Sequence, residues 1–482
     1  MTHISPYPVK KGETYELRVE KLAFGGRGIA RVDGYTVFVE RGIPGQLLRG
    51  RIVKRRKGYA EARIEEVLET SPRQVEPRCS HFGLCGGCMH QHLAYDAQLE
   101  AKREQVRECL TRLAGLDLPV AAPLAAADAY EYRNKMEYSF SNTRWLEDDE
   151  IDHAGAADRF GLGLHIRGRY DRVLDLDRCH LQVEAGSLLL GLARESARKS
   201  GLPAYSTRTH DGFWRFLMVR EGVFTGERMV VIITHTAAPG SAQEHAVEEM
   251  ARVLTAQGPP VTSVVHGQTA RKASVAFCES LRTLYGEPVI RERLLDITYE
   301  ISPNSFFQTN SRQAERLFGE VMERGAFQPD ETVWDLYCGA GAISLPLARR
   351  VKRVVGMELV PEAVEAARRN AAANGIDNVE FVAGDMKNLL GAGGDSYPRP
   401  DAVIVDPPRD GVHASVLATL AAAAPGRIVY VSCNPATLAR DMAVLVEAGY
   451  EAGEVQPVDM FPHTGHIECV TVLHRGQAQG KS

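Results

Sequence analysis

Residues 333–341, VWDLYCGAG, decide the fold class. An apolar run enters a turn containing Gly339 and Gly341 and leaves through AISLPLARR (342–350) as a helix. Such a strand–turn–helix is one unit of an open sheet with helices on its faces. Glycine at 339 and 341 lets a ligand lie against backbone at the strand's carboxyl end. The unit repeats downstream. RVVGMELV (353–360) brings Glu358 about twenty residues past the glycine turn, the distance at which a carboxylate receives ribose hydroxyls. NVEFVAGD (378–385) ends in Asp385, a partner for an adenine amino group. DAVIVDPPRDG (401–411) delivers Asp406, and RIVYVSCNPAT (427–437) delivers Cys433, with Pro435 forbidding the ladder to continue. Ligands of open α/β sheets bind outside the carboxyl ends of the strands, so Asp406 and Cys433 are expected to face one crevice.

Acidic residues at successive strand ends fit a methyltransferase that uses S-adenosyl-L-methionine better than a dehydrogenase. The dinucleotide fingerprint GxGxxG is missing, because Cys338-Gly-Ala-Gly-Ala-Ile-Ser stops at two glycines. Cys433 taken alone reads as a small buried hydrophobe. Upstream, Asn304-Ser-Phe-Phe-Gln308-Thr-Asn310 gathers two aromatics and three amides before an amphipathic helix, SRQAERLFGEVMERG. Amides can read a base edge and aromatics can hold its face. Asn310 or Ser311 equally suits the helix cap.

A chain of 482 residues exceeds one core, and three domains are expected. These are a small β-barrel over 1–70, a central α+β RNA-binding domain over 71–300 and a Rossmann-like domain over 301–482. With 25% charged and 44% hydrophobic residues the composition is that of an ordinary soluble protein. No apolar run is long enough to span a bilayer, and MTHISPYPVKKGETYEL lacks a signal peptide's apolar core, so a cytoplasmic monomer without a membrane partner is expected. The net charge of -5 conceals a basic amino terminus, with 14 Lys+Arg against 9 Asp+Glu in residues 1–70. That surplus suits a polyanion, or merely a solvated basic face.

Within that basic module, five short β-rich runs broken by glycine fit a small barrel. The Phe24-Gly25-Gly26-Arg27-Gly28 loop, the run Lys54-Arg55-Arg56-Lys57 and Tyr59 give charge and aromatic surface for RNA. The module resembles a TRAM domain. Beyond the linker SPRQVEP come Cys79, Cys85 and Cys88 with Gly86 and Gly87 between, able to present three thiolates to one centre. Cys179 is the fourth candidate, ahead of Cys109, which lies in a helical stretch. A compact triad with a remote cysteine is more like iron–sulfur ligation than the paired CxxC of zinc, which stays open. Leu99, Val106, Leu110 and Leu113 mark a helix over about 96–114, stopped by Gly115 and packing on a core, with the catalytic domain as a candidate. From Tyr130 the pattern becomes that of an antiparallel sheet, where Arg133, Asn134, Lys135 and Tyr138 could face a nucleic-acid backbone or a solvated edge.

Together DLYCGAG, VDPPRDG, SCNPAT, HTGHIECV and the cysteine triad resemble the RNA uracil-C5 methyltransferase family over nearly the whole chain. The resemblance implies Cys433 as nucleophile and Glu468 as general base. It assigns the cofactor S-adenosyl-L-methionine to Gln308, Tyr337, Glu358 and Asp406, beside Gly339, Gly341 and Asp385. It also favours a [4Fe-4S] cluster over zinc on Cys79, Cys85, Cys88 and Cys179. Barrel and cluster together resemble the 23S ribosomal RNA branch, although some tRNA-modifying relatives carry a cluster too. One position departs: Ala342 stands where a well-known ribosomal relative has asparagine. Asp406 is expected to hold either cofactor or the uracil edge, Arg409 a phosphate, and Phe306 or Phe307 the flipped base.

Overall fold

The computed structural model describes residues 7–146, 150, 155, 159–391 and 397–476. Residues 1–6, part of the stretch that argues against a signal peptide, lie outside them. Among the described residues no helix is long and apolar enough to cross a membrane.

The amino-terminal domain has six strands rather than five: Thr14–Arg18, Lys21–Leu22, Gly28–Val32, Tyr35–Val39, Leu47–Arg55 and Tyr59–Glu69. They bond in the order first, fifth, sixth, fourth, third, second. The extra strand arises because TYELRVEKLA changes partner midway: the Val19 N–H donates to Gln46, and the next N–H, of Glu20, to Ile29. Alternation along Leu47–Arg55 sends Leu48 and Ile52 inward and Arg49 and Arg51 outward. They join Leu17, Val37, Val39 and Ala60 in a small core.

Seven strands form the central sheet, in the order Ser280–Gly286, Ser263–Gln268, Arg228–Thr234, Trp214–Glu221, Lys135–Ser141, Gly161–Ile166, Arg169–Asp175. It is not wholly antiparallel. Arg228–Thr234 and Ser263–Gln268 pair in parallel, because helix Ala242–Gln257 carries the chain back across the sheet between them. That helix and Glu184–Lys199 share one core with Leu217, Val219, Val230 and Ile232. The alternate residues Met218, Met229, Val231 and Ile233 join the core of the carboxyl-terminal domain instead, together with Leu317, Phe318 and Val321. Each such side chain, fully buried, contributes about 1.5–3 kcal/mol, so the two domains are joined by an apolar layer.

The carboxyl-terminal sheet runs Val379–Ala383, Arg353–Glu358, Thr332–Leu336, Ala402–Val405, Arg427–Ser432, Glu468–Arg475, Tyr450–Ala452, with Gln456–Val458 also on Glu468–Arg475. Its first five strands are parallel, and Glu468–Arg475 is antiparallel. Strand order reverses between Thr332–Leu336 and Ala402–Val405, which opens a crevice at their carboxyl ends.

Helix Tyr95–Cys109 continues as a wider turn over Leu110–Ala114 and stops at Gly115, φ +67°. Val106, Cys109 and Leu110 pack with Leu438 and Met442 of the carboxyl-terminal domain. Leu113 is 61% exposed, whereas Gln98, Lys102 and Gln105 are buried. The helix thus buries a polar face, which apolar periodicity does not reveal.

Candidate active site

Three strand-to-helix turns build the floor of a cleft of ≈ 2020 Å³. At the first, Tyr337 takes a left-handed φ of +65°, with Gly339 at +55° and Gly341 at +84°. Glu358, at the end of the neighbouring strand, ties the turn down: Oε2 accepts the Gly339 N–H at 3.1 Å and Oε1 the Val360 N–H at 2.9 Å. Gly339 lines the cleft, and a Cβ there would meet open space. Gly341 lies behind, where a Cβ would approach Phe381 to 3.0 Å. Asn370, buried in the helix Pro361–Ala373, donates to the Ala340 carbonyl at 3.3 Å and accepts from Glu300 N–H. It fastens the glycine turn to the hairpin Ile290–Leu294/Ile297–Ile301, and its only signal in the sequence is an amide in an alanine-rich helix.

The second turn is DPPRDG and the third SCNPAT, and the side chain of Asn434 links them. Its Nδ2 donates to the Arg409 carbonyl at 3.0 Å while Oδ1 accepts from Ala436 N–H, capping helix Pro435–Glu447. Pro435 is the first residue of that helix, where its missing N–H costs nothing. Behind both turns lies Asp441, fully buried, accepting from Val412 N–H at 2.8 Å and from the Tyr430 hydroxyl at 2.7 Å. Nothing in SCNPAT itself marks Asn434 as the link between the two turns, and Asp441 lies on an otherwise ordinary helical segment.

Glu468 reaches the same place from the opposite direction. Its strand is antiparallel, so its first residue lies at the edge where the parallel strands end. The register pairs Ser432 with Cys469, which sets Cys433 opposite Glu468. Gln308, Tyr337, Gly339, Glu358, Asp385, Asp406, Cys433 and Glu468 all line the cleft.

Cys433 is half-buried. Burial, then the charges of Glu468 and Asp406, push its thiol up to about 11, with Arg409 opposing. Burial and then Asp406 push Glu468 up to about 8, and burial alone raises Asp406 to about 6. Near neutral pH the thiol and the Glu468 carboxyl therefore both hold protons. A cation entering beside them would favour both ionised forms. Arg409, exposed at the mouth, donates to His466 Nδ1 at 2.9 Å, and burial lowers His466 to about 4, keeping it a neutral acceptor.

The floor suits a ligand that carries hydroxyls, an amino group and positive charge. Asp335 is fully buried, and burial raises it to about 7 although Ser344 Oγ donates to its Oδ2 at 2.5 Å. Its Oδ1 is buried without a protein partner, and Glu358, Asp385 and Asp406 add three carboxylates around it. S-adenosyl-L-methionine, with its ribose, adenine, ammonium and sulfonium groups, matches that donor set.

Residues 227–476 match the family model described as tRNA (Uracil-5-)-methyltransferase, and residues 8–64 match the TRAM domain. A Nitratidesulfovibrio vulgaris protein described as an uncharacterized RNA methyltransferase is 41% identical over 466 residues, 96% of both chains. A Chlorobaculum tepidum protein so described is 40% identical over 476 residues, 97% of this chain and 98% of its own. The chain belongs to the RNA uracil-5-methyltransferase family. Among solved structures, the Pyrococcus abyssi tRNA (uracil-54, C5)-methyltransferase in complex with S-adenosyl-L-homocysteine is similar at TM-score 0.74 and 29% identity, over 95% of this chain and 100% of that one.

For an RNA uracil-5-methyltransferase, several expected RNA contacts fall elsewhere. Asn134 is 6% exposed, and its amide donates to the Gln308 carbonyl at 2.9 Å and to Ser311 Oγ at 2.8 Å. Tyr138 is fully buried on Gln182, and Lys135 pairs with Glu137. Only Arg133 of that group lines the cleft. Asn310 caps helix Ser311–Gly325, and its Nδ2 donates to Met460. Of the two aromatics, Phe307 lines the cleft but is 7% exposed and packs against Tyr299 at 5.7 Å, so it offers a base little surface. Phe306 is 77% exposed at the cleft and is available.

The cysteines Cys79, Cys85, Cys88 and Cys179 are partly exposed and close enough for their charges to interact. The Gly87 N–H donates to Cys85 Sγ at 3.4 Å. Burial raises all four thiols above their ordinary value, so a thiolate at this place calls for a cation to hold it. Among the described residues no group of three or more His, Cys, Asp or Glu side chains meets the geometry of a metal site.

Proposed function

We propose that the enzyme methylates C5 of a uridine in RNA, with Cys433 as nucleophile and Glu468 as base. The observation that carries this reading is the antiparallel register that sets a thiol opposite a buried carboxyl at the end of a cofactor-type sheet. Uracil C5 is a poor nucleophile. Addition of the Cys433 thiolate to C6 makes an enolate whose electrons are directed to C5. S-adenosyl-L-methionine, held by Gln308, Tyr337, Gly339, Glu358, Asp385 and Asp406 with Gly341 shaping the turn, supplies the methyl group when bound. Glu468 takes the C5 proton, the electrons return to the ring and the C6–S bond breaks, releasing 5-methyluridine. Asp406 also lies near enough to hold the uracil edge, Arg409 at the mouth suits a phosphate, and Phe306 suits a flipped base.

Two RNA targets have support. The combination of TRAM domain and cysteine loop favours 23S ribosomal RNA, whereas the Pyrococcus abyssi relative is a tRNA (uracil-54, C5)-methyltransferase, which favours tRNA. We favour ribosomal RNA. Mapping 5-methyluridine in 23S RNA and tRNA from cells lacking the gene decides between them: loss confined to tRNA would overturn the ribosomal reading.

A [4Fe-4S] cluster on Cys79, Cys85, Cys88 and Cys179 belongs to the same proposal, supported by the mutual nearness of the four thiols and the Gly87 N–H at Cys85. With four protein thiolates it would leave no open iron and would supply a tie between loops rather than a reaction step. Iron analysis and the visible spectrum of protein purified without oxygen test it, and a colourless, iron-free protein would refute it.

The chemistry is tested with RNA carrying 5-fluorouridine, whose C5 fluorine cannot leave as a proton. A covalent RNA–protein adduct should form with the wild type and not with Cys433→Ala. Absence of any Cys433-dependent adduct would sink the proposal.

A further inference from the structure

We propose that His90 and Gln98 are positioning residues for the loop that leads into Glu468, and that through them the amino-terminal domain and the cysteine loop align the base. This rests on the assignment of Cys433 and Glu468 above. The loop in question, 459–467, turns at His463, which takes a left-handed φ of +63°. The His463 carbonyl accepts two N–H groups from the end of the cysteine loop, Met89 at 2.7 Å and His90 at 3.1 Å. The His463 N–H donates to Gln98 Oε1 at 2.9 Å, and Gln98 Nε2 lies 3.2 Å from His463 Nδ1. That same Nε2 donates to the His90 carbonyl at 3.0 Å and to the Leu93 carbonyl at 2.8 Å. Gln98, 1% exposed, thus grips the catalytic loop and the cysteine loop at once.

His90 extends the link to the third segment. It is 3% exposed, and its ring Nε2 lies 2.8 Å from the Gly26 carbonyl in the FGGRG loop of the TRAM domain. A carbonyl only accepts, so Nε2 carries a proton. The fit leaves no room for side chains. A Cβ on Gly26 would fall 2.8 Å from both His90 Cε1 and Met89 Cε, and one on Gly465 would fall 3.0 Å from the Gly25 backbone. Three segments far apart in the chain therefore meet backbone to backbone, and Thr464, His466 and Glu468 extend from that junction into the cleft.

The nucleophile has an anchor of its own in Asn434, which caps helix Pro435–Glu447 and donates to the Arg409 carbonyl, while the Arg409 side chain meets loop 459–467 at the exposed His466, beyond the His463 junction. Loosening the junction should therefore displace the base while leaving the thiol competent. A misplaced base leaves the first two steps intact and slows loss of the C5 proton, so the Cys433–C6 adduct should accumulate relative to released product. A merely structural role would lower both together.

The experiment follows the full chain with uridine RNA and methyl-labelled cofactor, measuring adduct on denaturing gels and released 5-methyluridine. His90→Ala and Gln98→Leu should raise the adduct-to-product ratio about tenfold or more, in line with the cost of small misplacements of catalytic groups. Adduct formation on 5-fluorouridine RNA should keep its wild-type rate. His90→Gln, whose amide can still donate toward Gly26, should restore most of the ratio. Gln98→Glu keeps the acceptor for His463 but loses the donors, so it should fall between. An unchanged ratio in all four variants, or adduct and product falling in parallel, would overturn the inference. A wild type that gives no adduct even on 5-fluorouridine RNA would overturn the underlying assignment instead.

Discussion

Replacing Glu468 by glutamine should stabilise the protein while stopping turnover, and the gain should depend on pH in a defined way. Glu468 is 6% exposed, and burial followed by the Asp406 charge raises it from 4.5 to about 8. The unfolded chain thus loses this proton near pH 4.5, whereas the folded protein keeps it to about pH 8. Stability falls across that window, because the unfolded state gains an ionisation that the fold withholds. At about 1.4 kcal/mol per pH unit, the cost is about 5 kcal/mol above pH 8 and about 3 kcal/mol at pH 7. Below pH 4.5 it vanishes. Glutamine keeps the volume and cannot ionise, so Glu468→Gln should be more stable by about 3 kcal/mol at pH 7 and by little at pH 4. Urea titrations of both proteins at pH 4, 7 and 8 measure the difference. The same variant should hold RNA as a persistent Cys433 adduct and release no 5-methyluridine. A stability difference that is absent at pH 8, or equal at pH 4 and pH 8, would refute the claim that Glu468 is a buried, destabilised acid.

Further outcomes follow from the same geometry. Because Glu468 must lose its proton to act as base after methyl transfer, breakdown of the methylated Cys433 adduct should speed up about tenfold per pH unit below about 8. A profile flat from pH 6 to pH 8 would contradict that role. Lys102 and Asp459 form a buried pair at 2.6 Å, with side chains 4% and 0% exposed. Lys102→Met leaves Asp459 buried with the Tyr95 hydroxyl alone and should cost about 3–5 kcal/mol in chemical denaturation, much of it recovered when Asp459→Leu is added. Arg220, 3% exposed, donates to the carbonyls of Pro303 and Ser305, in the loop that leads to Gln308. Arg220→Met leaves those acceptors unpaired at about 1–3 kcal/mol each, and calorimetry should show weaker S-adenosyl-L-methionine binding. Removing iron from the cysteine loop should speed proteolysis between residues 79 and 90 and raise the adduct-to-product ratio as His90→Ala does, and an unchanged digestion pattern would count against the cluster as a tie.

Much of the site was legible because parallel strands followed by helices deliver the residue after each apolar run to one edge. Glu358, Asp385, Asp406 and Cys433 could be placed that way, since hydrophobic runs mark the strands and Gly339, Gly341 and Pro435 mark their ends, whereas Tyr337 and Gln308 came from the family resemblance alone. Buried polar groups were not legible. Asn134, Tyr138 and the Gln98–Lys102–Gln105 face look like surface to any reading based on hydrophobicity, and only their partners, up to 365 residues away, make burial tolerable. Phe306 and Phe307 are indistinguishable as letters, and packing against Tyr299 is what separates a core residue from one free to stack.

The sequence by itself determined the sheet and the edge that its loaded turns share, because local periodicity and turn chemistry act over a few residues, while the choice of Cys433 as nucleophile came from the family resemblance. Tertiary structure alone decided that Glu468 faces Cys433, because that depends on a strand entering antiparallel with Cys469 in register with Ser432. It also decided that the loops around Gly26, His90 and His463 close on one another, a contact made by backbone groups whose partners no local pattern records.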